Sequence, residues 1–209
     1  MQISWHGGYT IKIVSKETVL VMDPYAPELS PTPFRAKADV VALSHPTQSN
    51  MSHLKGISGE PQVIDSPGEY TLRGFTLQGL GLRGEDGHEY SIFRWHIEGI
   101  VILYLGALPR VVDEKELGEI TKTDIDVLIV PVGGGESLTS KQAAEMISHV
   151  EPRMIIPIHF ALPKWKEKLD PVDVFAKEMG VSASKVEKKL VLRPSRLPDE
   201  DVETVILKP

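Results

Sequence analysis

The chain has 209 residues, 41% of them hydrophobic, with a formal net charge of −6 and no cysteine. That length fits one large domain or two small ones, and the apolar share suffices for a packed core. The lack of cysteine excludes disulfides, thiolate nucleophiles and Cys-ligated zinc. No Lys/Arg cluster is dense enough to track phosphates, so nucleic acid is not an expected partner. The N-terminal MQISWHGG has no basic region followed by an apolar stretch, and no apolar run approaches the roughly 18 residues of a membrane span. A cytoplasmic protein with no membrane contact is expected.

The first third is predicted as short strands. Gln2–Trp5, Thr10–Val14 and Thr18–Met22 are apolar or β-branched, with turn residues between them. Asp23-Pro24-Tyr25 closes the third strand, and 26–33 holds three prolines and reads as a loop. Asp39–Leu43 is a continuous apolar run, the pattern of a strand buried on both faces. Pro61–Ile64 and Tyr70–Leu80 add strands around the turn Ser66-Pro67-Gly68, and Tyr90–His96 with Gly99–Leu105 form a hairpin around Glu98-Gly99.

The second half alternates strands with helices. Asp113-Glu114-Lys115-Glu116 is a capping box that opens a short helix, and Asp126–Val130 is a buried strand. Thr139-Ser140-Lys141-Gln142 opens another capped helix, with Ala143, Met146, Ile147 and Val150 on one face. Met154–Ile158 is again a buried strand. Pro171 is predicted at the first position of a third helix, which Gly180 ends. Leu190–Leu192 and Val202–Leu207 finish as strands. Many strands, then strand–helix alternation, then strands imply two sheets packed together with helices outside. With no repeat, low-complexity tract or linker, residues 1–209 read as one domain.

Groups that do chemistry tend to sit on loops at strand ends. His6-Gly7-Gly8, Asp23, the loop SHPTQSNMSH (44–53), Gly106-Ala107 and His159 all follow predicted strands. If these loops lie at one edge of a sandwich, they form one pocket.

The phrases ISWHGGYTIKI (3–13), VMDPY (21–25), ADVVALSH (38–45), VIDSPGEYTLRG (63–74), LYLGALP (103–109), IDVLIVPVGG (125–134) and EPRMIIPIH (151–159) together resemble the metallo-β-lactamase-fold hydrolases. The branch is that of the L-ascorbate-6-phosphate lactonase-like proteins. The resemblance covers essentially the whole chain. It implies an α/β fold, a four-layer αββα sandwich, and a pair of zinc ions that activate a bridging water for hydrolysis. The family's ligand phrase is His-x-His-x-Asp-His. Laid on this sequence, its four positions hold His45, Thr47, Ser49 and Asn50. The bridging aspartate of the family's Gly-Asp phrase falls on Ala107, and the histidine three residues before it on Tyr104. The Gly-His after the first strand reads Gly7-Gly8. The mid-chain segment offers only His88, on a predicted hairpin tip, and the late histidine is retained as His159.

Neutral oxygens of threonine, serine and asparagine are weak zinc ligands, and alanine offers none. The expectation is a vestigial metal site with no resident cofactor, in which His45 and His159 remain beside Thr47, Ser49, Asn50, Tyr104 and Ala107 as a pocket. The leading function is then a non-catalytic protein that binds a small molecule or a protein partner through this face. The alternative is a hydrolase of lactones, phosphodiesters or related esters that keeps activity with one unorthodox zinc or manganese ion or none. Homo-oligomers, or pairing with an active homologue, fit the resemblance.

His53 reads as the start of the following helix or turn. Asp23 and Glu69 are the candidate metal-free general bases, although their phrases also build loops. Gly133-Gly134-Gly135 lacks the Lys-Ser/Thr of a P-loop and reads as a turn that lets backbone approach the pocket. No Gly-x-Ser-x-Gly elbow occurs. Trp95 and His96 read as sheet packing, and Lys164–Lys168 as a solvated turn around one anchoring tryptophan.

Overall fold

The computed structural model describes every residue except Glu17, 46–50, Glu85, Asp86 and 183–185, with backbone only for 51–53. The chain begins with β1 (Gln2–Trp5), β2 (Ile11–Ser15), β3 (Thr18–Met22), β4 (Ala36–Lys37) and β5 (Val40–Ala42), then a 3-10 helix (Met51–Gly56). Next come β6 (Ile57–Ser58), β7 (Gln62–Ile64), β8 (Gly68–Leu72), β9 (Phe75–Arg83), β10 (Glu89–Ile97) and β11 (Ile100–Tyr104). The alternating half comprises α1 (Glu114–Ile120), β12 (Val127–Pro131), α2 (Ser140–Val150), β13 (Met154–Ile158) and α3 (Val172–Glu178). It closes with β14 (Val186–Glu187), β15 (Leu190–Val191), a 3-10 turn (Pro194–Arg196), β16 (Glu203–Thr204) and β17 (Ile206–Leu207).

Two mixed sheets form the sandwich, one of six strands in the order β15-β1-β2-β3-β5-β7 and one of seven in the order β16-β13-β12-β11-β10-β9-β8. In the first, β3, β5 and β7 run parallel; in the second, β11, β12, β13 and β16 do. The side-chain alternation explains the packing. Ile3 and Trp5 of β1 and Ile11 and Ile13 of β2 turn into the main core, and the residues between them do not. Strands β3 and β5 bury both faces. Leu20, Met22, Val40 and Ala42 join the main core, while Val21, Val41 and Leu43 join a second cluster with Tyr25 and Phe34. This double burial is why 40–43 is continuously apolar.

Helix α2 packs Ala143, Met146, Ile147 and Val150 inward, touches β12, and has α1 and α3 as neighbours. Both capping boxes form, at Asp113/Glu116 and Thr139/Gln142. The opposite outer layer, over the six-stranded sheet, is built from the 3-10 helix, the short β4–β6 pair and the segment carrying Phe34.

Three local predictions differ. The run 70–80 breaks at Arg73-Gly74, whose φ values of 47° and 84° make a tight turn between β8 and β9. Arg-Gly is a weaker hairpin signal than Asn-Gly, which hid the turn. Val202–Leu207 divides between β13 and β14 as pairing partners. Pro171 caps α3 from outside and does not enter it.

Candidate functional site

The parallel strands of both sheets deliver their C-terminal ends to one edge, where open α/β sheets collect ligand-binding loops. Asp23 follows β3, Ser44-His45 follows β5, Gly106-Ala107 follows β11, Gly133–Gly135 follows β12 and His159 follows β13. Asp23, His45, Ala107 and Gly135 wall a cleft of about 360 Å³ together with Tyr9, Tyr90 and Glu167, while Ser44 and His159, each 1% exposed, are not among its walls.

Asp23 is the polar centre of the floor. It is 1% exposed and has a left-handed backbone, φ 42°. The Thr10 hydroxyl holds that kink, donating to the Asp23 carbonyl at 2.6 Å and accepting from the Tyr25 amide at 2.9 Å. The Ser44 amide donates to Asp23 Oδ1 at 2.7 Å, and the Ser44 hydroxyl (2.5 Å) and Tyr104 hydroxyl (2.6 Å) donate to Oδ2. Burial pushes the carboxyl up to about 6, against the opposing pull of these donors. The Tyr104 phenol, buried beside this carboxylate, is driven well above its ordinary value and stays a donor.

Gly106 is required by this packing. Its φ is 54°, and a Cβ there would fall 2.1 Å from Ser44 Oγ and 3.3 Å from Asp23 Oδ2. The Ala107 amide in turn donates to Ser44 Oγ at 3.2 Å.

His159 is 1% exposed and also left-handed, φ 51°. Its ring stacks on Tyr9 with centroids 3.9 Å apart. Nδ1 lies 3.0 Å from Ser137 Oγ and Nε2 3.3 Å from Glu167 Oε1. A carboxylate accepts only, so Nε2 carries a proton. The ring is therefore either the Nε2–H tautomer, receiving the Ser137 proton at Nδ1, or the imidazolium. The carboxylate–imidazole–hydroxyl order looks like a nucleophile relay. Ser137, however, is 4% exposed and lies outside the cleft walls, so its hydroxyl anchors the ring.

His45 stacks face to face on Tyr90, centroids 4.6 Å apart and planes 5° from parallel. The His88 ring stands edge-on to it at 6.3 Å. The hairpin-tip histidine is thus a neighbour of the cleft. Thr47, Ser49 and Asn50 lie outside the described residues, as does the His53 side chain; its backbone belongs to the 3-10 helix. Glu69 does not join the others: it is exposed on β8, beside Thr76, Gln78 and His96.

The segment 164–168 is more than a solvated turn. Trp165 packs against Gly7 and Gly8, where a Cβ on Gly7 would lie 2.2 Å from the ring, and Glu167 reaches His159. Tyr9, Tyr90 and Glu167 were not picked out from the sequence. Tyr9 sits inside a noted phrase, but nothing local marks its ring, and Glu167 meets His159 only through a loop closure.

The family model for the beta-lactamase superfamily domain matches residues 2–159. The chain belongs to the β-lactamase superfamily. A metallo-β-lactamase-superfamily protein from Thermotoga maritima is 31% identical and superposes with a TM-score of 0.79 over 99% of this chain and 98% of that one. A metal-dependent hydrolase from Ligilactobacillus salivarius is 25% identical over 188 residues, covering 77% of this chain and 85% of the relative. Igni18, a metallo hydrolase from Ignicoccus hospitalis, shares the fold at 11% identity, with a TM-score of 0.65 over 92% of this chain and 99% of that one.

A superfamily metal pair does not fit the described donors. Both Asp23 oxygens already accept from hydroxyls and an amide, and both His159 nitrogens face partners. Ala107 offers no ligand atom. Among the described residues no three His, Asp or Glu side chains cluster as a metal would need.

Proposed function

We propose that this chain is a metal-free member of the β-lactamase superfamily that binds a small ligand in the cleft at the strand ends and does not hydrolyse it by the metal mechanism. The observation carrying this reading is the Asp23–Ser44–Tyr104 cluster. Hydroxyl and amide donors satisfy this buried carboxylate, and one of them, Tyr104, stands where the resemblance places a histidine ligand. His159, turned toward Ser137 and Glu167, supports the same reading. Three donors occupy most of the acceptor capacity of the Asp23 carboxylate, and both His159 nitrogens face protein partners. The cleft keeps the shape of a binding site, with aromatic walls and a polar floor, which suits small molecules.

A second reading has one observation in its favour. The His45 and His88 rings are neighbours, and relatives bear the name metal-dependent hydrolase. One unorthodox metal at that pair would make the chain a hydrolase of lactones or phosphodiesters.

One experiment separates the two. Protein purified without added metal is analysed for its elements, then melted with zinc, with manganese and with EDTA. A ligand specific for the folded state raises the melting temperature. The metal-free reading expects well under one metal per chain and a melting temperature indifferent to EDTA. Close to one zinc or manganese per chain, lost to EDTA along with esterase or phosphodiesterase turnover, would establish the hydrolase.

A further inference from the structure

The walls of the cleft select among ligand classes. We propose that the cleft binds a compact organic cation, a primary ammonium on a flat or short aliphatic body, with Glu167 as its main anchor. This inference rests on reading the cleft as a metal-free ligand site.

Three carboxylates, those of Asp23, Glu136 and Glu167, line the cleft, against one exposed lysine, Lys168. All three act on the Tyr9 phenol, adding to burial in keeping it protonated, so their fields converge on one place. Asp23 is already supplied with donors by Ser44 and Tyr104. Glu167 is not. Its one bond among the described residues, from His159 Nε2 to Oε1, is long at 3.3 Å, and the side chain, 28% exposed, lines the cleft. A partly exposed carboxylate with a single long bond can take a further donor from the cleft side, and an ammonium N–H supplies it together with the opposite charge.

The remaining walls suit the same guest. Tyr9, Tyr25, Tyr90 and His45 line the cleft. Tyrosine faces attract a cation once water is displaced. The His45–Tyr90 and Tyr9–His159 stacks fix three of these rings before a ligand arrives. An anionic guest would meet three carboxylates and a single solvated lysine. At about 360 Å³ the cleft is near the small end of ligand sites, which limits the body to one ring or a short chain.

The test uses the full chain, treated with EDTA, and three probes of one size: tyramine, neutral 4-ethylphenol and anionic 3-(4-hydroxyphenyl)propionate. Calorimetric titration and ligand-observed NMR at low salt give the affinities. Tyramine should bind at least about ten-fold tighter than the other two, and more weakly as salt rises, since exposed charges such as Glu136 are screened. Glu167→Gln should weaken tyramine about ten-fold, the loss of one charge-assisted hydrogen bond. Glu136→Gln, at an exposed position, should weaken it less. Melting curves and amide spectra check that the variants stay folded. If Glu167→Gln does not fold, the probe ranking and its salt dependence on the unaltered chain decide.

Equal or tighter binding of the neutral or acidic probe, or an unchanged affinity in folded Glu167→Gln, overturns the cation assignment and leaves the ligand-site reading standing. Binding of none of the three overturns it too, and the ligand-site reading is then judged by metal content alone. Tyramine binding that appears only after zinc loading defeats both.

Discussion

Asp23 shows how a fold supplies a buried carboxylate with donors of its own. Its side chain is almost wholly removed from water, yet three donors reach its two oxygens. Tyr104→Phe removes the one phenolic proton, which lies between Asp23 Oδ2 at 2.6 Å and the Tyr9 carbonyl at 2.8 Å. Bonds to charged groups are worth more than neutral ones, so the variant should lose roughly 2–3 kcal/mol in urea unfolding, with the Asp23 carboxyl raised further. A loss below about 0.5 kcal/mol would mean that water replaces the phenol at no cost. Gly106→Ala is harsher. It adds a methyl carbon 2.1 Å from Ser44 Oγ at a positive φ, and should abolish soluble expression or lower the melting temperature sharply. The sequence exposed part of this cluster. Ala107 and Tyr104 stood out because a ligand phrase has a fixed spacing. The Ser44 hydroxyl did not, because a serine after a strand is an ordinary turn residue until its partner across 21 positions is known.

At the scale of elements, the site exists because two parallel strand groups end together. The β3–β5 pair places Asp23 beside Ser44, and the β11–β12–β13 trio places Ala107, Gly135 and His159 opposite. Strand positions were legible because strands buried on both faces must be continuously apolar, and Thr18–Met22 and Met154–Ile158 match their predicted limits. The β8–β9 turn was not, since a pleated strand and a hairpin share one alternation and only the turn residues differ. The loop 161–170 was the least legible element. Its backbone is tied at Ala161 N to the Asp170 carbonyl and at Asp170 N to the Gly133 carbonyl, both 2.9 Å, contacts with no local signature. Trp165 is its apolar anchor on Gly7 and Gly8. Trp165→Ala should therefore loosen the loop, and with it the Glu167–His159 contact, at a modest stability cost because the residue is half-buried. Faster amide exchange across 162–169 with β12 and β13 unchanged is the expected pattern. Uniformly faster exchange would mean that Trp165 supports the whole fold.

For the whole molecule, the superfamily sandwich was readable from phrases spread along the chain, because each phrase encodes a strand and the loop that follows it. What the loops hold depends on packing between sheets, and there two titratable groups, buried Asp23 and half-buried His6, oppose each other. Asp23 is raised from 3.8 to about 6 by burial. Across that window the folded state keeps a proton that the unfolded chain has released, so this group's contribution to stability falls as pH rises and is lost above about 6. His6 is lowered from 6.5 to about 4, by burial first and then by Lys12 and Lys189. There the unfolded chain binds the extra proton, so stability is lost as pH falls from 6.5 toward about 4. The two slopes have opposite signs and overlap, which should leave the parent protein nearly indifferent to pH across the overlap as far as these groups are concerned. His6→Asn removes one slope and keeps the other. Measured against the parent by urea midpoints, the variant should gain in relative stability as pH drops from 6.5 toward 4. Its own stability should then be higher near pH 4 than near pH 6, because Asp23 acts unopposed. Parallel curves for parent and variant would show that His6 titrates alike folded and unfolded, and the compensation would have to be abandoned.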